Sequence, residues 1–546
     1  MLRRWLSPLA ILCVVALPSL ARAQDASPPT SVVRVRSLEA VIDNIKMVVA
    51  LAGKENVAEQ IEGLIKTKIG ADGLVGIDPK RPFGGYVRLS KDLEVPAGAV
   101  MIPIADEKAF LGLLENLTLK VTKDKKGIYS VSLKPAVPVD IAFRFANKYA
   151  YVTALNLEAL EPGNLVPPEK IFSANMPALS ASVRLDQVPN AAKLIAVSVV
   201  EQKLEEEQNK RQPGETDKQR ELRVQILKKV ATQIRDVLED GSELSVALDV
   251  SKKAGAVTAD IRLSAMSKSN LAETIQKLGK TPSLFAGLAG ADSAAHGLIH
   301  FIPAEDIRKA LAGVVDEAMD KALASIQDEA KRKQAESLAK ALAPTLRAGE
   351  IDVAFNLAGP GKNKNYNLIV AGKVKEGNHL GKTVRALVED LLKSIPPAEA
   401  EKIKLDADAV GDIKIHRVEI QSAFDPKARA VFGDNPIYVA FRDDAVFLAL
   451  GEGALPALKK GLTAKPGEAS PLANFEVSLA RIAPLLAKTD EQKEIVEKAF
   501  KDGEPGTVSV RLQGGADLRL SLSARLSVLQ VLAQLLVRDG KFKIGE

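Results

Sequence analysis

The chain of 546 residues is poor in the residue types that most often build reactive or ligand-stacking sites. It contains one cysteine, one tryptophan and four histidines, and aromatic residues make up 4% of it. Cys13 lies in an N-terminal apolar run, so the rest of the chain has no disulfide, no thiol nucleophile and no thiolate ligand. The scarcity of aromatic residues argues against sites that stack sugars or single-stranded nucleic acid bases.

The sequence also lacks a long hydrophobic run after its N-terminus, so we expect no later membrane span. Residues 1–23, in contrast, have the form of a secretory signal peptide. Arg3 and Arg4 precede an apolar run, and Ala21-Arg22-Ala23 fits the cleavage pattern. The run is shorter than the roughly 20 residues that a bilayer span needs. A cleaved signal is therefore favoured over the alternative of a retained anchor, and we predict a periplasmic or extracellular protein.

The excess of positive charge is small once the signal is set aside. The chain has 75 basic and 69 acidic residues, a net charge of +6. Cleavage after residue 23 removes three arginines, which leaves 72 basic residues and a net charge of +3. This balance gives no reason to expect a nucleic-acid partner.

One pattern of strands and helices recurs along the chain. Residues 246–265, 353–371 and 508–524 each read as an alternating strand, a Gly- or Lys-rich turn and a second alternating strand. Such alternation predicts hairpins with one buried face. A helical pattern follows each hairpin, and a strand-then-helix segment precedes it; these segments lie at 178–195, 296–311 and 474–488, and a fourth opens the exported chain at 32–48. We therefore predict four β-α-(α)-β-β-α units.

Two further stretches, 139–160 and 437–458, match each other and share Ala-Phe-Arg. Each belongs to a predicted β-meander that separates two of the units. The order indicates an internally duplicated α+β protein, with mostly antiparallel sheets and helices packed on one face. We place the halves at 24–280 and 296–546, joined by a Gly-, Ala- and Ser-rich linker at 281–295.

Two charged helical inserts distinguish the middle units from the last one. Residues 199–239 read as two long helices that break at 211–217, where Pro and Gly occur. Residues 304–347 form the second insert, and the equivalent region 482–500 is much shorter. Ala, Leu, Lys and Glu favour helices, and the charge runs are typical of solvated helix faces.

The histidines do not form a metal-binding pattern. His296 and His300 fall on the first strand of the third unit, where four residues span about 13 Å, too far for one ion to bind both. His379 is predicted to lie in a loop and His416 in a meander strand, both as exposed side chains. We predict no zinc site; a carboxylate-bound calcium site stays open, although no EF-hand-like loop is present.

The segment 377–383, GNHLGKT, has part of a phosphate-binding loop. It ends in Gly-Lys-Thr, between a predicted strand and a predicted helix. The motif requires a glycine at position 376, where the chain has Glu376, and Gly377 comes one residue too late. We predict that Thr383 caps a helix instead.

No nucleophile motif is evident either. The G-x-S-x-G pattern is absent, and Ser293, although near His296 in sequence, has no further support as a nucleophile. Paired acids at 106–107 and 305–306 stand where helices are predicted to begin, and acids favour that end of a helix. We assign no catalytic, cofactor-binding or metal-binding residues.

Three features resemble the uncharacterised secreted proteins of planctomycete-type bacteria: the signal peptide, IPIADEKAFLGLLENL at 102–117, and the strand pair VDIAFRFANKYAYVTA at 139–154. The resemblance covers about the first 160 residues and their counterparts in the second half. It implies a cell-envelope setting but no activity.

These observations favour an exported, non-enzymatic envelope protein that acts as a binding or scaffold module. The expected partner is an envelope protein or an apolar ligand, with no cofactor. The first alternative is a carrier of a lipid-like ligand in a cavity between sheet and helices. The second alternative is an unrecognised hydrolase.

Overall fold

The computed structural model describes residues 28–51, 75–90, 96–132, 140–154, 156–419, 425–467, 469–487, 489–501 and 503–538. The predicted signal peptide, residues 1–23, lies outside the described residues. The α+β class is confirmed, and every described strand pair is antiparallel.

The strands and helices have the following bounds. The strands are β1 (Ser31–Val35), β2 (Phe83–Arg88), β3 (Ala97–Pro103), β4 (Val121–Lys123), β5 (Tyr129–Ser132), β6 (Asp140–Ala146), β7 (Tyr149–Thr153), β8 (Leu179–Arg184), β9 (Gly241–Ser251), β10 (Ala256–Ala265), β11 (Ser293–Phe301), β12 (Ile351–Ala358), β13 (Asn367–Lys373), β14 (Ile403–Val410), β15 (Ile413–Val418), β16 (Ile437–Arg442), β17 (Ala445–Gly451), β18 (Ala473–Ser478), β19 (Thr507–Gln513) and β20 (Leu518–Arg525). The longer helices are α1 (Leu38–Leu51), α2 (Glu107–Asn116), α3 (Asn190–Asn209), α4 (Asp217–Asp240), α5 (Asn270–Leu278), α6 (Glu305–Ala324), α7 (Glu329–Ala348), α8 (Gly377–Ser394), α9 (Pro426–Phe432), α10 (Ala454–Thr463), α11 (Leu479–Leu486), α12 (Asp490–Ala499) and α13 (Leu526–Arg538).

All of these strands belong to one 20-stranded sheet. Following the pairings from one end to the other gives the order β4-β5-β6-β7-β3-β2-β1-β8-β9-β10-β20-β19-β18-β11-β12-β13-β17-β16-β15-β14. Counted outward from β10, the strands are β9, β8, β1, β2, β3, β7, β6, β5 and β4. Counted outward from β20, they are β19, β18, β11, β12, β13, β17, β16, β15 and β14. Each label in the second series is ten higher than its counterpart in the first, so the two halves have the same strand order. The pairing of β10 with β20 joins the two halves, so the halves share one sheet where the sequence suggested separate sheets.

The predicted helical inserts are present as helix pairs. The first consists of α3 and α4, with the break between them at 210–216. Thr216 and Gln219 form a capping box that starts α4, which satisfies two backbone N–H groups at its first turn. The second consists of α6 and α7, and the shorter pair α11 and α12 occupies the equivalent place in the last unit.

Helices are arranged along both ends of the strands. Because neighbouring strands are antiparallel, β8 and β11 run in one direction and β1 and β18 in the other. The helices that follow β8 and β11 therefore lie at one end of the strands, where α4 contacts α6 and α7 contacts α8. The helices that follow β1, β18 and β20 lie at the opposite end of the strands, where α13 contacts α1 and α12. None of the described helices is long and apolar enough to cross a bilayer.

Two cores lie on one face of the sheet, one in each half, and we call this side the mixed face. In the second half, Ile369 and Phe447 pack beneath Leu458 of α10. Its counterpart in the first half contains Tyr86, Met101 and Tyr151. Large aliphatic and aromatic side chains at alternate strand positions thus bury one face in each half, as alternation predicts.

The segment 281–295, which we predicted as a linker, passes through the second core. Ser283 is fully buried, and Phe285 and Leu288 are nearly so. The ring of Phe285 meets that of Phe447 edge to face at 5.7 Å. The segment connects the halves as a packed part of the structure, because its few large apolar side chains find places in the core.

Candidate functional site

The first pair of histidines lies on β11, as predicted, but in two different environments. Nε2 of His296 lies 3.3 Å from Nδ2 of Asn474. His300 is buried, with Nδ1 3.8 Å from Oδ2 of Asp352. Across the described part of the chain, no group of three His, Cys, Asp or Glu side chains could hold a metal ion.

His379 is exposed, as predicted, but its predicted place in a loop is wrong, and so is the prediction that Thr383 caps a helix. Both residues lie inside α8, which begins at Gly377. Oγ1 of Thr383 donates a hydrogen bond to the backbone oxygen of His379, so it does not cap the helix. Glu376 takes the left-handed conformation before the helix, and Gly377 fits directly against the backbone of Arg442, where a Cβ atom would be 2.1 Å from its oxygen. Residues 377–383 therefore form the first turns of a packed helix and do not form a phosphate-binding loop.

His416 lies in β15, as predicted, but it is not exposed. Its side chain is 14% exposed, and its Nδ1 accepts a hydrogen bond from the backbone N–H of Asp406 at 3.2 Å. Burial lowers the pKa of His416, and the nearby Asp406 carboxylate opposes that change. The polar ring is tolerated there because the neighbouring strand supplies a hydrogen-bond donor.

The remaining candidates have local structural roles. Oδ1 of Asp106 accepts from the backbone N–H of Ala109 at 2.8 Å, which caps α2. Glu305 lies in the first turn of α6 and pairs with Lys309. Oγ of Ser293 closes a turn with Gly290.

The sequence did not reveal a buried polar cluster near the start of the second half. Oγ of Ser283 donates to Oδ1 of Asp352 at 2.6 Å, and the backbone N–H of Leu284 donates to Oδ2 at 2.8 Å. A serine hydrolase needs a histidine beside the serine and an open approach for substrate. Here the aspartate occupies the serine's hydrogen bond, and Ser283 is fully buried. The arrangement fixes 283–285 against β12 and offers no accessible nucleophile.

The centre of the mixed face is polar. An open cavity of about 480 Å³ lies there, lined by His296, Asn474, Glu476, Ser509, Arg511, Gln513, Arg519 and Ser521. At the junction of the halves, Oδ1 of Asp260 accepts from Nε of Arg519 at 2.8 Å and from Oγ of Ser521 at 2.6 Å. The hydrogen bond from Arg519 holds the pKa of the Asp260 carboxyl below its usual range.

The opposite side, which we call the apolar face, is the most unusual surface of the molecule. Strand registers align its side chains into rows that run across the strands, and three of these rows have the following members. The first row is Val100, Gly85, Val33, Ala181, Val246, Ile261, Leu520, Leu512, Ala473, Ile299, Val353, Gly372 and Val446. The second row is Phe83, Val35, Leu179, Leu248, Ala259, Leu522, Val510, Phe475, Gly297, Phe355, Val370 and Leu448. The third row is Val250, Val257, Ala524, Val508, Val477, Ala295, Leu357, Leu368 and Leu450.

No side chain in these rows is charged or can form a hydrogen bond, and many are open to solvent. Large side chains on this face with exposed fractions between 37% and 51% are Val33, Val100, Leu179, Val246, Leu248, Ile261, Ile299, Phe301, Ile351, Val353, Leu448 and Leu522. The first row crosses thirteen strands, from β3 to β17, or roughly 60 Å at the usual strand spacing. Contiguous apolar patches of more than a few hundred Å² are rare on soluble monomers and mark interaction surfaces.

Two of the described helices, α2 and α8, pack on the apolar face near its ends. At the first end, Phe110 of α2 meets the rings of Phe143 and Phe145, each at 5.9 Å and nearly perpendicular. At the other end, Leu380 of α8 belongs to a cluster with Phe441 and Val446. Between these two ends, Val33, Val246, Leu248, Ile261 and Ile299 are exposed.

Alternation in the sequence identified the apolar positions, but it could not reveal that they form one open surface. That property depends on which strands pair and in what register. A scan of family models, a search of curated proteins and a search of solved structures each find no match to the chain.

Proposed function

We propose that the protein is a non-enzymatic binding module and that the apolar face is its binding surface. The observation that carries this proposal is the exposure of large aliphatic side chains from β3 to β17 on a face without polar groups. Covering each half-exposed aliphatic side chain contributes on the order of 1 kcal/mol, given about 25 cal/mol per Å² of apolar surface. A ligand that contacts several of them gains substantial affinity without hydrogen bonds.

The predicted signal peptide and the resemblance to secreted planctomycete-type proteins support a cell-envelope setting for this activity. In a binding module, the buried Ser283–Asp352 pair and the acidic residues at helix starts serve to stabilise the fold. The hydrolase alternative gains no support from Ser283, which is buried and donates its hydroxyl to Asp352. For the carrier alternative, the lipid-like ligand would bind on the open apolar face and not in a cavity between sheet and helices.

The proposal is tested by binding of 8-anilinonaphthalene-1-sulfonate, a dye that fluoresces on apolar surfaces. Val246→Asp places a charge in the middle of the first row, where the side chain is 47% exposed. Ser245→Asp is the matched control, because Ser245 is the adjacent residue of β9 and faces the opposite side.

We expect the wild-type protein and Ser245→Asp to enhance dye fluorescence equally, and Val246→Asp to lose most of the enhancement. Circular dichroism and urea unfolding check that both variants fold. A folded Val246→Asp protein that binds dye as well as the wild type would rule out the apolar face as the binding surface.

A further inference from the structure

We infer that the polar cavity at the centre of the mixed face is a binding site for a small zwitterion of the α-amino-acid class. The ligand's carboxylate binds Arg511 and its ammonium group binds Glu476, two residues that line the cavity. The site lies on the side of the sheet opposite the apolar face. The inference therefore goes beyond the proposed function and does not depend on it.

The cavity contains charged side chains that have no protein partner. Arg511 is exposed and Glu476 is partly buried. Within the part of the chain that the structure describes, neither side chain forms a hydrogen bond or an ion pair, and they do not pair with each other. The side chains of Ser509 and Gln513, which also line the cavity, likewise have no hydrogen-bond partner among the described residues. Polar groups that converge in one cavity and lack partners are available to a ligand.

The arginines in the corresponding region of the first half are already occupied. Strands β1, β8 and β9 take there the places that β11, β18 and β19 take in the second half. Nη2 of Arg36, which follows β1, donates to Oδ1 of Asp249 at 2.6 Å. Nη1 of Arg34 donates to Oγ of Ser182 at 3.0 Å. Groups of the protein itself bind these two arginines, whereas the guanidinium group of Arg511 remains available.

The positions of the two unpaired charges suit an α-amino acid. Glu476 on β18 pairs with Ser509 on β19, and Arg511 lies two residues beyond Ser509. Glu476 and Arg511 are therefore diagonal neighbours, which are about 7–8 Å apart in an antiparallel pair. In an α-amino acid the ammonium nitrogen and the carboxylate carbon are about 2.5 Å apart. With a charge-assisted hydrogen bond of about 2.8 Å on each side, such a ligand bridges groups that are roughly 8 Å apart.

The signs of the charges disfavour a ligand that carries only one kind of charge. A guanidinium group binds a carboxylate through two parallel hydrogen bonds, and a carboxylate accepts hydrogen bonds from an ammonium group. An anion that binds Arg511 is repelled by Glu476, and a cation that binds Glu476 is repelled by Arg511. The charge of Arg519, which also lines the cavity, is balanced by Asp260 at 2.8 Å. A zwitterion satisfies both of the remaining charges.

The rest of the lining favours a ligand with a polar side chain. Asn474 lies directly opposite Arg511 across β18 and β19. Gln513 and Ser521 add a second amide group and a hydroxyl group, and all eight lining residues are polar. An apolar side chain gains no apolar contact from such a lining, whereas an amide side chain can bond to the amides. L-Glutamine is therefore the probe of choice.

The first experiment compares L-glutamine with two analogues by NMR titration, which measures weak as well as tight binding. N-acetyl-L-glutamine lacks the ammonium group, and L-glutamine amide lacks the carboxylate. We expect the wild-type protein to bind L-glutamine at least tenfold more tightly than either analogue, because each analogue leaves one charged residue of the cavity without its partner. Equal affinities for the three compounds, or no binding of L-glutamine, would overturn the inference.

The second experiment assigns each group of the ligand to its residue. We expect Arg511→Gln and Glu476→Gln each to weaken L-glutamine binding at least tenfold. Arg511→Gln should change the affinity for L-glutamine amide less than twofold, and Glu476→Gln should do the same for N-acetyl-L-glutamine. The matched control is Arg262→Gln, because Arg262 is an exposed arginine of the mixed face that lies 3.7 Å from Asp517 and does not line the cavity.

The control decides between a specific site and a general effect of charge. Unchanged L-glutamine binding in Arg262→Gln supports the site, whereas a loss as large as that in Arg511→Gln would overturn it. Circular dichroism and urea unfolding check that each variant folds. None of these substitutions alters the apolar face, so dye binding should be unchanged in all of them. Failure of the amino-acid site and failure of the apolar binding surface are thus observed separately.

Discussion

The two faces of the central strands are chemically opposite. On β9, Ser245 and Asp249 point to the mixed face, while Val246 and Leu248 point to the apolar face. Polar side chains make the first face stable in water on its own. The second face carries aliphatic side chains that are exposed to nearly half of their full extent. A polar surface is compatible with water, whereas the apolar one is the surface to which the proposed binding function is assigned.

The same contrast appears along the first row itself. Beyond Val100 the row continues through Val152 to Phe143, which is 2% exposed beneath α2, while Val246 in the middle is 47% exposed. The chain thus has the means to cover its apolar face and does so only at the ends. This difference indicates that the open middle is a property of the fold, and the following substitutions test it.

The largest loss of stability is expected when the buried carboxyl group of Asp352, on the mixed face, is removed. Asp352→Ala leaves the Ser283 hydroxyl and the Leu284 N–H without their acceptor, and we expect a loss of about 4 kcal/mol in the free energy of unfolding. Urea denaturation measures it. Asp352→Asn keeps an acceptor in place and should lose less than half as much. A loss below about 1 kcal/mol for Asp352→Ala would show that the cluster is open to water.

A matched pair of isoleucines compares the two faces directly. Ile369 on β13 is 2% exposed on the mixed face, and Ile299 on β11 is 41% exposed on the apolar face. We expect Ile369→Ala to reduce the free energy of unfolding by about 3 kcal/mol. Ile299→Ala should reduce it by less than about 1 kcal/mol, because that side chain already contacts water. Similar losses in dilute protein would mean that Ile299 is covered in solution.

A smaller effect concerns pH at the junction of the halves. The folded pKa of Asp260 lies below its ordinary value near 3.9, so the ionised carboxylate stabilises the fold at neutral pH. This contribution is fully present above the ordinary pKa and is lost as pH falls through the folded value. Because Arg519 is 41% exposed, we expect about 1 kcal/mol or less.

The measurement is urea unfolding of the wild type and Asp260→Asn at neutral pH and near pH 3. The wild type should be the more stable protein at neutral pH, and the difference should shrink in acid. A difference that stays constant over this range would assign the stabilisation to packing, independent of charge.

The smallest effect on stability is expected on the apolar face. Val246→Thr changes one exposed methyl group into a hydroxyl, so the free energy of unfolding should change by less than about 0.5 kcal/mol. Binding of 8-anilinonaphthalene-1-sulfonate should nevertheless weaken measurably. Thermal unfolding and the dye titration together separate binding from folding, and unchanged dye binding would mean that β9 lies outside the binding surface.

Local patterns in the sequence predicted the secondary structure well and its assembly only partly. Alternation and turn residues identified the hairpins, and the Pro-Gly break at 211–217 separated two helices that the structure also separates. His379 was misplaced because its surroundings look like a loop until Gly377 is seen packed against β16. Such contacts join distant segments and leave no local signal.

The apolar face could not be predicted for a related reason. Each strand reads as half-apolar, which alone indicates a buried side. Whether that side is buried depends on the lateral order of all the strands, and above all on the β10–β20 pairing that joins distant parts of the chain. The Ser283–Asp352 pair was missed likewise, since its members are separated by 69 residues.

Among the described strand pairings, β4 and β14 are the two end strands of the sheet, each paired on one side. Such edges can template the addition of further strands and so the growth of fibres. One edge has only the three residues of β4 to offer. The other edge strand, β14, carries Lys404, Asp406 and Asp408. Its pairing with β15 is interrupted between Lys404 and Asp408. Polymerisation through the edges is therefore disfavoured by a short template at one end and by charge and irregular geometry at the other.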